Sequence, residues 1–152
     1  MKDRILITGG AGFIGSNLAA ALLKRANTDV VIADDFSSGD WRNLIDVDCE
    51  VRAVHCDDAQ LLQDIAEGHF TAIYHEAAIT DTTVMDQKLM VNVNTDAFAA
   101  ILKASAKSGT RVIYASSAGT YGNSPAPNAV GSGEEPENIY GFSKLAMDRV
   151  AA

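Results

Sequence analysis

Cysteine, proline and long hydrophobic runs are all scarce in this 152-residue chain. Cys49 and Cys56 are its two cysteines, and their spacing suits no metal site. That excludes a disulfide framework, and both read as reduced thiols. The three prolines, Pro125, Pro127 and Pro136, all fall within residues 122–138, a stretch without period that reads as a surface loop near the site. No run of about 18 apolar residues occurs, so no membrane-spanning helix is expected. Met1-Lys2-Asp3-Arg4 leads straight into a short strand, without the hydrophobic segment and cleavage site of a signal peptide; a cytoplasmic protein is expected. His55, His69 and His75 have no ligand spacing, and no metal is expected. Basic residues are the minority, 12 against 20 acidic, for a net charge of −8. This argues against nucleic acid or an anionic membrane as the main partner. It leaves room for an anionic nucleotide, which local backbone N–H groups can hold.

The length suits one domain with a real core. The stretch from Thr8 to Asn17, Thr-Gly-Gly-Ala-Gly-Phe-Ile-Gly-Ser-Asn, follows the apolar run Ile5-Leu6-Ile7 and opens a helical pattern. Gly10, Gly12 and Gly15 fit G-x-G-x-x-G, and Gly9, Gly12 and Gly15 fit a second spacing. Such glycines permit a tight turn, close approach of a diphosphate, and close packing of helix on strand. The helix N-terminus, at Phe13 and Ile14, then offers N–H groups and partial positive charge to phosphates. Dinucleotide binding is the reading that this position favours.

Beyond it, strands alternate with helices. Strands are expected at 4–8, 29–34, 50–54, 71–76 and 111–116. Ile14, Leu18, Ala21, Leu22 and Ala26 recur at helical spacing, and helices are expected again at 60–67, from Leu89 to a Gly109 cap, and from Tyr140 to Ala152. Regular βα alternation predicts an α/β fold, a doubly wound parallel sheet of the Rossmann kind.

Asp34 ends the second strand about 20 residues after the glycines, where a carboxylate accepts hydrogen bonds from the adenosine ribose and favours NAD. Asp35 beside it and Arg42, which suits a 2′-phosphate, keep NADP open. Trp41 sits in the polar loop that follows, as its anchor or against an adenine. Tyr140 and Lys144 lie four residues apart, on one face of a helix. A nearby cation favours a phenolate, so the pair can take a proton from a hydroxyl as hydride leaves the same carbon. Ser116-Ser117 closes the fifth strand, where a hydroxyl can bond the reacting oxygen.

These three elements, the glycine stretch, Ser116-Ser117-Ala118-Gly119-Thr120-Tyr121-Gly122 and Tyr140-Gly141-Phe142-Ser143-Lys144, together resemble the extended short-chain dehydrogenase/reductases, the NAD-dependent epimerases and dehydratases of nucleotide sugars. The resemblance implies Tyr140 as catalytic base, Lys144 as its pKa-lowering, ribose-binding partner, and Ser117 as the group that polarises the reacting oxygen. It implies cofactor contacts at Gly9, Gly12, Phe13, Ile14 and Gly15, at Asp34 and Asp35, at Asp57 or Asp58 near the adenine, and at Ala77 and Ala78. Asn92 is implied in the long helix behind the site, although Asn-Val-Asn-Thr-Asp departs there from the family's Asn-Val-x-Gly-Thr. His75-Glu76-Ala77-Ala78 with Asp81-Thr82-Thr83 is more similar to the branch acting on ADP-linked heptoses than to the UDP-galactose 4-epimerases. It implies Thr82, Thr83 and Ser117 near an ADP-sugar substrate, with NADP the cofactor that branch favours. Family members commonly form homo-oligomers. They are also much longer. This chain stops mid-helix, so residues 1–152 are expected to be the cofactor domain, without a C-terminal substrate region. A non-catalytic dinucleotide-binding module or inactive fragment is the alternative from another class.

Overall fold

The computed structural model describes residues 2–152. The strands are β1 (Asp3–Thr8), β2 (Thr28–Ala33), β3 (Glu50–Arg52), β4 (Ala72–His75) and β5 (Arg111–Tyr114). The helices are α1 (Phe13–Leu22), α2 (Ala59–Ala66), α3 (Gln87–Val91), α4 (Ala97–Ser108) and α5 (Ile139–Ala151). Chain contacts divide these residues into two compact units. The first comprises residues up to Ala77 with Ala100–Tyr114; the second comprises Ala78–Ala99 with Ala115–Ala152.

The first unit holds the sheet, in order β3-β2-β1-β4-β5, and every pairing is parallel. This is the doubly wound arrangement that the alternation predicts. Winding runs from β1 towards β3 on one side and from β4 to β5 on the other. The switch falls between β1 and β4, where ligand crevices of open α/β sheets form outside the carboxyl ends. The strands read as apolar runs because both faces are covered. Ile5, Ile7, Val30 and Ile32 pack with Ala19 and Leu22 of α1 on one face. Leu6 and Val31, pointing the other way, are buried as well, as are Leu61 and Ile65 of α2.

Helix α1 differs from expectation in extent and facing. It ends at Leu22, and the chain reverses through Asn27 in the left-handed region (φ 61°) rather than continuing to Ala26. Its buried face is Gly15, Ser16, Ala19 and Leu22, while Ile14 is 61% exposed and Phe13 82%. A helix that must start against a glycine turn packs on small side chains, and the larger apolar ones turn outward.

From the second unit, α3 passes through one π-helical turn (Asn92–Asp96) into α4, whose residues from Ala100 on belong to the first. The expected single helix is therefore interrupted. The proline-bearing loop is mostly exposed, as read. Gly109 closes α4 with φ 73°.

Candidate functional site

At the switch point, β1 passes directly into the glycine turn. Gly9 has φ 68°, and a Cβ on it would lie 2.6 Å from the backbone nitrogen of Ala77. A Cβ on Gly15 would lie 2.4 Å from the Gly9 carbonyl. Neither position admits a side chain without moving backbone. Gly12 differs: within 4 Å of its Cβ position only the Gly9 oxygen is found, at 3.2 Å. A side chain there would crowd the turn less than one at Gly9 or Gly15. Gly12 is also the N-cap of α1 and supplies no capping side chain, leaving the first-turn donors to a ligand. A dinucleotide thus fits this loop on geometry. Beneath it, the Thr8 hydroxyl and His75 Nδ1 lie 2.8 Å apart in a buried pair, and the Glu76 N–H donates to the Thr8 carbonyl.

Asp34 is buried at the carboxyl end of β2. Its Oδ2 accepts from the Ala11 N–H at 2.8 Å and its Oδ1 from the Phe36 N–H at 2.9 Å. Asp35 is exposed and accepts from the Ser37 N–H and hydroxyl. Its pKa is lowered: burial works against this, but the Ser37 hydrogen bonds and the nearby His55 outweigh it. Arg42 is engaged by its own turn, its Nε donating to both carboxylate oxygens of Asp40 at 3.0 and 2.9 Å. These bonds bring Asp40 down to about 2. Asp57 is exposed and pairs with His55, while Asp58 caps α2 by accepting from the Gln60 and Leu61 N–H groups. Ala77 is pressed against the glycine turn through its backbone.

The expected catalytic trio lies within the second unit. Asn138 caps α5 by accepting from the Gly141 N–H at 2.8 Å, which places Tyr140 in the first turn. Gly141 lets α5 approach the Ser117 turn: a Cβ there would lie 2.5 Å from the Gly119 carbonyl. Ser117 Oγ accepts from the Gly119 N–H at 3.0 Å, and the hydroxyl retains its own proton to donate. The point where Gly119 would carry a Cβ lies 3.3 Å from Ser117 Oγ and 3.9 Å from Tyr140 Cδ1, so hydroxyl and ring converge there. Lys144 is buried, 4% exposed, with its ammonium donating to the Ala115 carbonyl at 2.9 Å. Ala78 is half-buried, and Thr82 and Thr83 stand exposed in a turn where Thr83 donates to Asp81.

Asn92 is exposed in the π turn; the asparagine turned inward is Asn94. Asn94 is fully buried, accepts from the Ile79 N–H at 2.8 Å, and donates to the Ile79 carbonyl at 3.0 Å and Ser143 Oγ at 2.9 Å. Ser143 in turn donates to the Tyr140 carbonyl at 2.7 Å. Asn94 therefore ties the turn after β4 to the first turns of α5. Its signal in the sequence is the altered Asn-Val-Asn-Thr-Asp itself. No cluster of metal-ligating side chains occurs among the described residues, and no described helix is long and apolar enough to cross a membrane.

A doubly wound sheet with a glycine cradle at its switch point defines a dinucleotide-binding protein of the Rossmann class. Residues 5–152 match the NAD dependent epimerase/dehydratase family, and the chain belongs to it. It is similar to the ADP-L-glycero-D-manno-heptose-6-epimerase of Helicobacter pylori, at 45% identity and a TM-score of 0.89, covering 97% of this chain and 50% of that one. The Bordetella bronchiseptica enzyme WbmG, solved with NAD and UDP, matches at 30% identity and TM-score 0.86, over 99% of this chain and 49% of that one. UDP-glucose 4-epimerase from Brucella ovis, solved with NAD, matches at 28% and 0.85, over 97% and 46%. The chain thus spans about half the length of the solved structures it matches.

Proposed function

We propose that this chain is the cofactor-binding part of a nucleotide-sugar epimerase, with an ADP-linked sugar as substrate and NAD as cofactor. The observation that carries the reading is the convergence of Tyr140 and Ser117 beside Gly119, on a helix whose buried Lys144 is anchored to Ala115. In this reading the Tyr140 phenolate takes the proton of a sugar hydroxyl and later returns it. The Ser117 proton is shared with the reacting oxygen as it becomes a carbonyl. NAD, when bound, would supply the hydride acceptor and donor for the sugar carbon, and the centre would invert if the sugar turned between the two transfers.

The glycine turn, with Phe13 and Ile14, holds the diphosphate. Asp34 and Asp35 face the ribose, Asp57 or Asp58 the adenine, and Ala77 and Ala78 run along the cofactor. Asn94 rather than Asn92 backs the catalytic helix, and Thr82 and Thr83 lie towards the substrate. NAD is favoured over NADP because Asp34 is buried and bonded where a 2′-phosphate would need a cation, while Arg42 is already held by Asp40. The 45% identity to the heptose epimerase supports the ADP-sugar. A cytoplasmic homo-oligomer completes the proposal.

The test is Tyr140→Phe in the full-length product of the gene, assayed with an ADP-linked heptose. Epimerisation should fall by at least about 100-fold while NAD binding is kept. Turnover near wild type would remove Tyr140 as the base.

A further inference from the structure

Ala11 sits in the middle of the glycine turn, and both of its backbone groups are taken by one downstream segment. Its N–H donates to Asp34 Oδ2 at 2.8 Å. Its carbonyl accepts from the Asp40 N–H at 3.1 Å and from Asn43 Nδ2 at 2.8 Å. The segment 34–43 is itself braced. Asp34 Oδ1 accepts from Phe36, and Asp40 caps the short turn Trp41–Leu44 by accepting from the Arg42 N–H at 2.9 Å. It also lies close against the loop: a Cβ on Gly39 would be 2.6 Å from Asp34 Oδ1 and 2.9 Å from Ala11 Cβ.

Glycine-rich backbone has many conformations to lose. A ligand that needs one of them binds in proportion to the time the loop spends in it. The turn closes through one bond of its own, from the Gly12 N–H to the Gly9 carbonyl, and Ala11 between them is held from outside, so the bonds to its backbone groups bear on that population. Of the groups making those bonds, Asn43 supplies the one side chain on the carbonyl, and it does so from an exposed position outside the core.

We propose that Asn43 is a positioning residue for the dinucleotide. Its amide holds the Ala11 carbonyl and so keeps the glycine turn in the shape that receives the diphosphate. Asn43 acts through Ala11. The inference rests on the glycine turn being the cofactor cradle.

The experiment compares the wild-type chain with Asn43→Ala and Asn43→Asp, using Ser38→Ala, at an exposed position in the same segment, as control. NAD affinity is measured by calorimetry. The anisotropy of Trp41, the single tryptophan and two residues from Asn43, reports the turn. Asn43→Ala should raise the Kd for NAD about tenfold, as expected if the competent loop falls to a tenth of its population. Asn43→Asp, which sets a carboxylate against the Ala11 carbonyl, should raise it further. Both should lower the anisotropy of Trp41 in the ligand-free chain, with the melting temperature within about 2 °C of wild type. Ser38→Ala should change neither. A Kd within about twofold of wild type in both Asn43 variants would overturn the inference, as would an affinity loss with unchanged Trp41 anisotropy. If the wild-type chain fails to bind NAD, the cradle reading falls and takes this inference with it. Tight wild-type binding with unaffected variants removes the inference alone.

Discussion

Replacing Asn94 by alanine should destabilise the protein far more than the same change at Asn92, although both stand in one short polar run. Asn94 is fully buried and satisfies three groups: the N–H and the carbonyl of Ile79, and the Ser143 hydroxyl. An ordinary intramolecular hydrogen bond contributes about 0.5–1.5 kcal/mol, and a buried partner left unsatisfied costs about 1–3 kcal/mol. Ser143 keeps its bond to the Tyr140 carbonyl and water can reach the half-buried Ile79, so no full penalty is added to the three lost bonds at about 1 kcal/mol each. The sum is about 3 kcal/mol. For a chain of this size it corresponds to a melting point lower by about 6–12 °C. Asn92 is exposed, so Asn92→Ala should stay within about 0.5 kcal/mol of wild type. Urea unfolding followed by circular dichroism, with thermal melts as a check, separates the two. An Asn94→Ala variant within about 0.5 kcal/mol of wild type would refute the reasoning, and so would an Asn92→Ala variant that loses as much.

Gly9→Ala forces a side chain into a left-handed φ of 68° and to 2.6 Å from the Ala77 nitrogen; it should cost at least about 2 kcal/mol in chemical unfolding and weaken NAD binding. Arg52 donates to Asp64 at 2.6 Å, and that hydrogen bond is the main reason the Asp64 carboxyl titrates below its ordinary range. With the folded pKa below the unfolded one, the stability this contributes is complete above the unfolded value near 4, and it is lost as pH falls through the folded one. Asp64→Asn should therefore flatten the acid limb of a stability–pH curve while lowering the neutral plateau. Burial pushes the Cys56 thiol up to about 12, and Cys49 is raised less. A thiol reagent at mildly alkaline pH should label Cys49 first, with Cys56 reacting only on unfolding, as peptide mass mapping would show.

The parallel sheet was legible because its strands are short apolar runs separated by helical periods, a pattern that survives in sequence. The tight turn after β1 was legible because glycine is the residue that such close backbone approaches demand, at Gly9 and Gly15 alike. Tyr140 and Lys144 could be read as a pair because helical spacing alone puts them on one face. The facing of α1 could not be read from hydrophobicity. Close packing on the glycine turn selects Gly15, Ser16 and Ala19, and turns Phe13 and Ile14 outward. Asn92 was implied by the resemblance, at a stretch where this chain departs from the family's Asn-Val-x-Gly-Thr; a π turn there advances the chain by more residues per turn than an α turn, and Asn94 is the asparagine that lies inside. The hold of Asn43 on Ala11 joins residues 32 positions apart through a side chain and a carbonyl, and no periodicity records that.

Titration of the wild-type chain and of Gly15→Ala with NAD by calorimetry tests the central claim most directly. One saturable site per wild-type chain is expected. In Gly15→Ala, whose methyl would lie 2.4 Å from the Gly9 carbonyl, affinity should be at least about tenfold weaker because the turn must deform. No binding by the wild-type chain, or binding that Gly15→Ala leaves unchanged, would contradict the assignment of the glycine turn as the seat of the cofactor.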